Sequence, residues 1–554
     1  MRVRGVAVVL TAALSLSPTV TAEASPTKSF TVVLKLRDGA ERFALDVSTP
    51  GNPLYGRFLS PEEFNARYAP TSDDVARVRD SLAKAGFSVG ATAEGNRWIS
   101  ATGVSAQLAL RNAEVLAVSE DVPAQSTDAV APTPGHCSAF WGQYSQTLPA
   151  AYDRTSFPTT ACGYNADQLQ TAYGLKPSIV GGRDGHGVTV AVIGAYGSPT
   201  MPADADTHAK TYGQSPFKTG QYTQKLFKPT GPSAPCGGRS KWYRAQTRDV
   251  EAIHAVAPGA NVLYVGARDC AAGIDEAINW VVQHKPATIV SNSYTYGGEN
   301  LPAAKIQQTH SLLVQAAAEG IGFSFATGDS GDETVNGIPA QADYPASDPF
   351  VTAVGGTSLA VDQAGGRQFE TGWGSSVNRV RSGAYVQPQP GTFTAGSGGG
   401  TSSLFAQPDY QKRKVPASLS RRYGGDPMRV SPDVSAAADP YTGFVIGQTV
   451  GGQFDLAPAG GTGLACSLFA GVVALAATGR ATPIGFANPL LYKLKAGSFT
   501  DILPSRTPLG VAVPDGSALV TFDRDSSLTT TFGYDAVTGL GTPAPGFLRE
   551  VEGP

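Results

Sequence analysis

The run Val188-Thr-Val-Ala-Val-Ile-Gly194 is short and almost unbroken in its apolar character. Three more of the same kind follow: Asn261-Val-Leu-Tyr-Val-Gly266, Ala287-Thr-Ile-Val-Ser291 and Gly322-Phe-Ser-Phe-Ala326. A strand that alternates apolar and polar residues buries one face, whereas a strand without alternation is buried on both. A helix-sized segment separates each run from the next, which predicts an α/β fold with a parallel sheet and helices on both of its faces. Ligands in such sheets gather beyond the carboxyl ends of the strands, so the loops after these runs are the first places to look for chemistry.

Upstream of this pattern the sequence reads differently. Ser29-Phe-Thr-Val-Val-Leu-Lys-Leu36 alternates as a strand, Ser60-Pro-Glu-Glu-Phe64 opens a helix with an N-cap and a proline, and residues 72–85 carry an amphipathic helix that ends near Gly86. Strand-like segments follow around Ser88 and Trp98, so residues 25–118 predict a compact α+β unit. Residues 119–135 have no periodicity and hold three prolines, the pattern of an exposed, cleavable linker. The domain from 136 to 554 carries the parallel-sheet pattern.

The 554 residues are enough for three or four domains, or for one large domain and a smaller one. Lys and Arg number 42 against 45 Asp and Glu, a net charge of −3, and charged residues make up only 16%. That balance excludes nucleic-acid binding through a basic face and a polybasic membrane surface. Hydrophobic residues at 41% exclude a disordered chain. Arg2 and Arg4, the apolar residues 6–16 and Ala22-Glu23-Ala24 have the order of a secretory signal, so residues 1–24 are expected to be removed and the protein to be secreted. The apolar run is too short for a membrane anchor. Five cysteines in an extracellular chain predict disulfides with one left over. Cys137 and Cys162 bracket one short region and Cys236 and Cys270 another, which gives those two pairs and leaves Cys466 free.

Three loops carry candidate chemistry. Thr327-Gly-Asp-Ser-Gly-Asp332 follows a strand and sets Asp329 among small residues. Gly460-Gly-Thr-Gly-Leu-Ala-Cys466 is a glycine-rich turn feeding an apolar helix, a geometry that presents a nucleophile or binds an anion. Asp249-Val-Glu-Ala-Ile-His254 lies on a helix closed by Pro258-Gly259, with positions 245, 249 and 252 on one face.

Together these segments resemble the sedolisin family of serine-carboxyl peptidases. The likeness extends through Leu54-Tyr-Gly-Arg-Phe-Leu-Ser-Pro-Glu-Glu-Phe64, Ala255-Val-Ala-Pro-Gly-Ala260, Ser291-Asn-Ser-Tyr294, Ser397-Gly-Gly-Gly400, Ser431-Pro-Asp-Val-Ser435 and Gly533-Tyr-Asp-Ala-Val-Thr-Gly-Leu-Gly-Thr-Pro543. The resemblance implies a subtilisin-like catalytic domain behind a ferredoxin-like activation propeptide. It also implies acid endopeptidase chemistry, in which a helical Glu and Asp four apart activate a Ser and a further Asp donates a proton to the oxyanion. Asp249 matches the helical Asp and Asp329 the oxyanion acid. Ala245 stands where the motif has Glu, and Gly463 where it has the nucleophilic Ser.

Loss of a nucleophile costs about a millionfold in turnover, roughly 8 kcal/mol, so the expectation is a secreted, inactive homologue that keeps a peptide-binding cleft and its own propeptide as partners. A monomer is expected. The alternative is an active acid endopeptidase with a displaced nucleophile, Cys466 or Ser467, each about one turn or 5.4 Å further along the helix. A His254-based triad lacks both its sequence context and its Ser, and the six histidines show no zinc-ligand spacing. The resemblance further implies one structural Ca²⁺ held by Asp501, Ile502, Thr531, Gly533 and Asp535, with backbone carbonyls supplementing two carboxylates.

Overall fold

The computed structural model describes residues 27–104, 115–119, 121–130, 137–505, 507–525 and 527–552; the expected signal at residues 1–24 and the last part of the expected linker lie outside them. In the N-terminal unit, β1 (Lys28–Leu34), β2 (Ser88–Thr92), β3 (Trp98–Gly103) and β4 (Val115–Ser119) form an antiparallel sheet in the order β2-β3-β1-β4, the ferredoxin-like order. Helix α1 (Ala40–Ser48) precedes α2 (Pro61–Tyr68) and α3 (Ser72–Lys84). Ser60 and Thr71 close capping boxes with Glu63 and Asp74 at the starts of α2 and α3. Helix α1 carries no such signal, because its N-cap is Gly39 in a left-handed conformation with no side chain to accept from the helix.

The large sheet is built from β6 (Thr189–Ala195), β7 (Tyr222–Leu226), β8 (Asn261–Ala267), β9 (Ile289–Asn292), β11 (Gly322–Ala326), β12 (Thr352–Val361), β13 (Arg367–Gly372) and β14 (Val434–Ala437). Among the strands outside it are β5 (Gln125–Ser126) and β10 (Tyr294–Thr295), which pair with each other. The order across the sheet is β13-β12-β11-β9-β6-β8-β7, with β14 also on β12, and only the β12–β13 pair is antiparallel. The four apolar runs are thus adjacent parallel strands, as their lack of alternation predicts.

Successive side chains of β6 serve opposite faces. Val190 and Val192 join α4 (Arg239–Val256) and α7 (Thr462–Ala477), while Ala191 and Ile193 join α5 (Ala272–His284) and α6 (Ala303–Ala318). Helix α7 is apolar all round and buried from Thr462 to Ala476, the mark of a central helix rather than a surface one.

The N-terminal unit packs on the α5/α6 face. Its β-strands keep Phe30, Val32, Leu34 and Ile99 for a core of their own, whereas Trp98, Leu59, Phe64, Ala40 and Ala44 belong to the same hydrophobic cluster as Ile278, Leu312 and Leu313. Polar groups seal the seam. Arg97 is buried and donates to the Ser311 carbonyl at 2.7 Å, and His310 lies 2.8 Å from Asp348 and 3.5 Å from Glu41. Burial opposes the His310 charge, but Asp348 and Glu41 outweigh it and lift its pKa to about 10.

Cys137–Cys162 and Cys236–Cys270 are bonded, and Cys466 is free and buried. Among the described residues, no helix is long and apolar enough to cross a membrane. One expectation is overturned: the segment after residue 119 is not exposed throughout, since Ala124, Ser126 and Thr127 are buried. Its backbone groups pair with the large domain, which makes burial of an irregular segment tolerable.

Because Phe64 belongs to a cluster shared by both units, Phe64→Ala should remove about 3–4 kcal/mol and lower the melting temperature of the whole chain in one transition. Calorimetry that instead resolves an early, separate transition for the N-terminal unit would contradict the shared core.

Candidate active site

Two helices and one loop converge at the carboxyl edge of the sheet. Helix α4 carries Arg244, Ala245, Arg248 and Asp249; α7 begins at Thr462 and Gly463; and the loop after β11 supplies Asp329. Gly461, at φ 91°, turns the chain into α7. Asp329 accepts from the Thr462 backbone N–H at 2.8 Å and from its hydroxyl at 2.9 Å, which fixes the carboxyl beside the start of α7. Burial raises the Asp329 pKa to about 6, against the lowering by Thr462 and Arg248, so this carboxyl is neutral in acid. The structure therefore brings Asp249, Asp329, Ala245 and Gly463 into one site.

Arg248, which the sequence reading passed over, dominates that site. Its side chain is fully buried. The guanidinium bonds Asp249 Oδ1 through Nε at 2.9 Å, donates to the Thr127 carbonyl, and lies 3.3 Å from Asp128 Oδ1. Burial works against its charge, but Asp249 and Asp128 hold its pKa above the ordinary arginine value. Burial raises the Asp249 pKa against the lowering by Arg248, Ser293 and Ser467, and its contact with Arg248 Nη2 at 2.8 Å makes it a partner of that guanidinium.

The space for a nucleophile is filled. A Cβ built on Gly463 would lie 2.6 Å from the Thr127 carbonyl oxygen and closer still to the Arg248 guanidinium. Residues 124–129 cross the cleft in extended form. Ala124 N–H donates to the Cys270 carbonyl at 2.7 Å, β5 pairs antiparallel with β10, Thr127 N–H donates to the Ser293 carbonyl at 3.1 Å, and the Gly460 N–H donates to the Ala129 carbonyl at 3.0 Å. A cavity of about 400 Å³ remains beside this segment, with Lys241, Asp329, Ser330 and Glu333 in its wall.

Of the other candidates, Ser467 also bonds the Asp249 carboxylate from one turn into α7. Cys466 and Ser467 are completely buried in α7 and touch Ser291; burial lifts the Cys466 pKa to about 12, so the thiol stays protonated. His254 packs against Phe217 with ring centroids 4.0 Å apart and bonds the Ser215 carbonyl at 2.8 Å, a packing role.

At the far end, Asp501 Oδ2 accepts the Gly533 N–H and Asp535 Oδ2 the Thr531 N–H, each at 3.0 Å, so two carboxylates close on one short loop. Ile502 is buried next to Asp501. Among the described residues no group of three or more His, Cys, Asp or Glu is placed so that it could hold a metal ion. An all-oxygen set of two carboxylates with backbone carbonyls suits a hard cation, and the buried Asp535, whose pKa burial raises to about 6, has no basic partner among the described residues.

A parallel sheet that presents a helical Asp, a loop Asp and a glycine-rich helix start at its carboxyl edge is the scaffold of a subtilase-type peptidase. Residues 19–110 match the model of the pro-kumamolisin activation domain, and residues 102–484 match the subtilase family. Kumamolisin of Bacillus sp. (strain MN-32) is 33% identical over 301 residues, covering 53% of this chain and 48% of kumamolisin. Xanthomonalisin of Xanthomonas sp. (strain T-22) is 27% identical over 568 residues, covering 92% and 64%. The chain thus spans about half the length of the first relative and under two thirds of the second. The structure of Pseudomonas sedolisin (serine-carboxyl proteinase) complexed with two molecules of pseudo-iodotyrostatin has a TM-score of 0.53 at 24% identity, covering 69% of this chain and 96% of that one, and so shares the fold. This chain belongs to the subtilase family and, within it, to the sedolisin family of serine-carboxyl peptidases.

The raised Asp329 pKa has a definite sign. The unfolded carboxyl ionises near 3.8 and the folded one near 6, so between those values the folded state binds more protons and its stability falls as pH rises. Asp329→Asn should lack that loss: its melting temperature relative to the wild type should rise from pH 4 to pH 6. A constant difference across that range would rule out a neutral Asp329.

Proposed function

We propose that this protein is a secreted, catalytically silent sedolisin homologue whose cleft holds extended peptide instead of cutting it, with its own N-terminal unit as a lasting partner. The observation that carries this reading is the start of α7, where Gly463 offers no hydroxyl and Arg248 and Thr127 fill the space a serine side chain would need. A buried guanidinium beside a reacting carbonyl could polarise it, but without an attacking atom no acyl-enzyme forms. Asp249 is tied to Arg248, and the complete burial of Cys466 and Ser467 speaks against a displaced nucleophile. The backbone pairing of residues 124–129 on both sides supports the peptide-holding role, since strand addition of this kind binds main chain and leaves side chains to set preference.

Purified protein should give no turnover of denatured casein between about pH 3 and pH 5, a deficit on the order of a millionfold against a working triad. Gly463→Ser with Ala245→Glu should stay inactive while Arg248 occupies the site. Adding Arg248→Ala to that pair should yield measurable hydrolysis, first as cutting within residues 124–130. Casein turnover by the unaltered protein would sink the reading.

Calcium belongs to the same proposal, through Asp501 and Asp535 with the carbonyls of Ile502, Thr531 and Gly533. A site filled at a hundredfold excess over Kd stabilises by about 2.7 kcal/mol, so a chelator should visibly lower the melting temperature and added Ca²⁺ should restore it. An unchanged melting temperature removes the ion from the account.

A further inference from the structure

Asp128 is the single charged residue between Val122 and Gly135, and it is buried in the cleft. Each of its oxygens faces a different arginine: Oδ2 lies 3.0 Å from Arg244 Nε, and Oδ1 lies 3.3 Å from Arg248 Nη1. The two arginines stand four apart on α4, so successive turns of one helix aim two guanidinium groups at one point. Arg244 is anchored by its bond to the Pro458 carbonyl at 2.9 Å, and Arg248 by Asp249 and the Gly460 carbonyl. Neither is a loose surface charge.

The flanking backbone fixes where along a bound peptide the carboxylate must fall. Thr127 N–H is held by Ser293 and the Ala129 carbonyl by Gly460, so only the residue between them projects at the arginines. If that residue were neutral, Arg248 would keep Asp249 as its only carboxylate partner while Arg244 would have none in the cleft. The Arg244 side chain is only 19% exposed, so an occupant that leaves it uncompensated, and takes one of two carboxylates from the fully buried Arg248, is disfavoured.

We propose that Arg244 and Arg248 form a receptor for a side-chain carboxylate within the cleft, with Asp128 as its resident ligand, so that the cleft takes extended peptides bearing an acidic residue at that position. This rests on the peptide-holding reading above and names its ligand class. It also gives the charge pair a second role: keeping residues 124–129 seated and sheltered from proteases.

The test uses the full chain. Thermolysin should cut the 124–130 segment of Asp128→Asn on the order of tenfold faster than that of the wild type. Asp128→Glu, which keeps the charge, should retain most of the resistance and so separate charge from folding. Once nicked, the Asp128→Asn protein should bind a fluorescein-labelled Gln-Ser-Thr-Asp-Ala-Val peptide at least about tenfold more tightly than the Asn-containing peptide, and Arg248→Gln should erase the difference. Equal nicking rates for wild type and Asp128→Asn, or equal binding of the two peptides, would overturn the receptor. Asp-selective binding accompanied by cleavage of the labelled peptide would uphold it while removing only the silent-site reading.

Discussion

A fully buried guanidinium must be neutralised where it sits, and the arrangement around Arg248 follows from that requirement. Two carboxylates and two backbone carbonyls answer it, and they come from three separate stretches of chain: the neighbouring Asp249, Thr127 and Asp128 from the segment across the cleft, and Gly460 from the glycine-rich turn. Breaking a buried pair by removing one partner costs about 3–5 kcal/mol, more than most single contacts supply. The cleft, the turn and the crossing segment are therefore energetically one object. Asp249 spends its carboxylate on that cation.

The sheet was readable because double burial leaves a direct mark, runs such as Val188-Thr-Val-Ala-Val-Ile that make no concession to water. Helix α2 was readable because Ser60 announces it and α3 because its pattern is amphipathic up to Gly86, and α1 was not, because Gly39 announces nothing. Asp249, Asp329, Ala245 and Gly463 could be placed from local motifs, and the fold gathers them. Arg248 and Asp128 escaped for a different reason. They are 120 positions apart in sequence, and neither is unusual until the crossing segment is seen to enter the cleft. The one available hint was negative: the stretch from Val122 to Gly135 is free of charge except at Asp128.

The same segment was misread as exposed because prolines and missing periodicity mark irregular backbone, not its surroundings. Irregular backbone can be buried when its N–H and C=O groups find partners, and here β10 and the Gly460 turn supply them. What the sequence records is the lack of regular structure; what the cleft adds is a second strand to lean on.

Trp98, Leu59 and Phe64 of the N-terminal unit share a cluster with Leu312 and Leu313 of the large domain. Pulling the two apart would wet aromatic surface on one side and two helices on the other, with Arg97 losing the Ser311 carbonyl and His310 losing Glu41 at the seam. A segment bound in this way behaves less like a wrapper awaiting removal than like a subunit that happens to be covalently attached, and its departure would leave behind a sticky, aggregation-prone face.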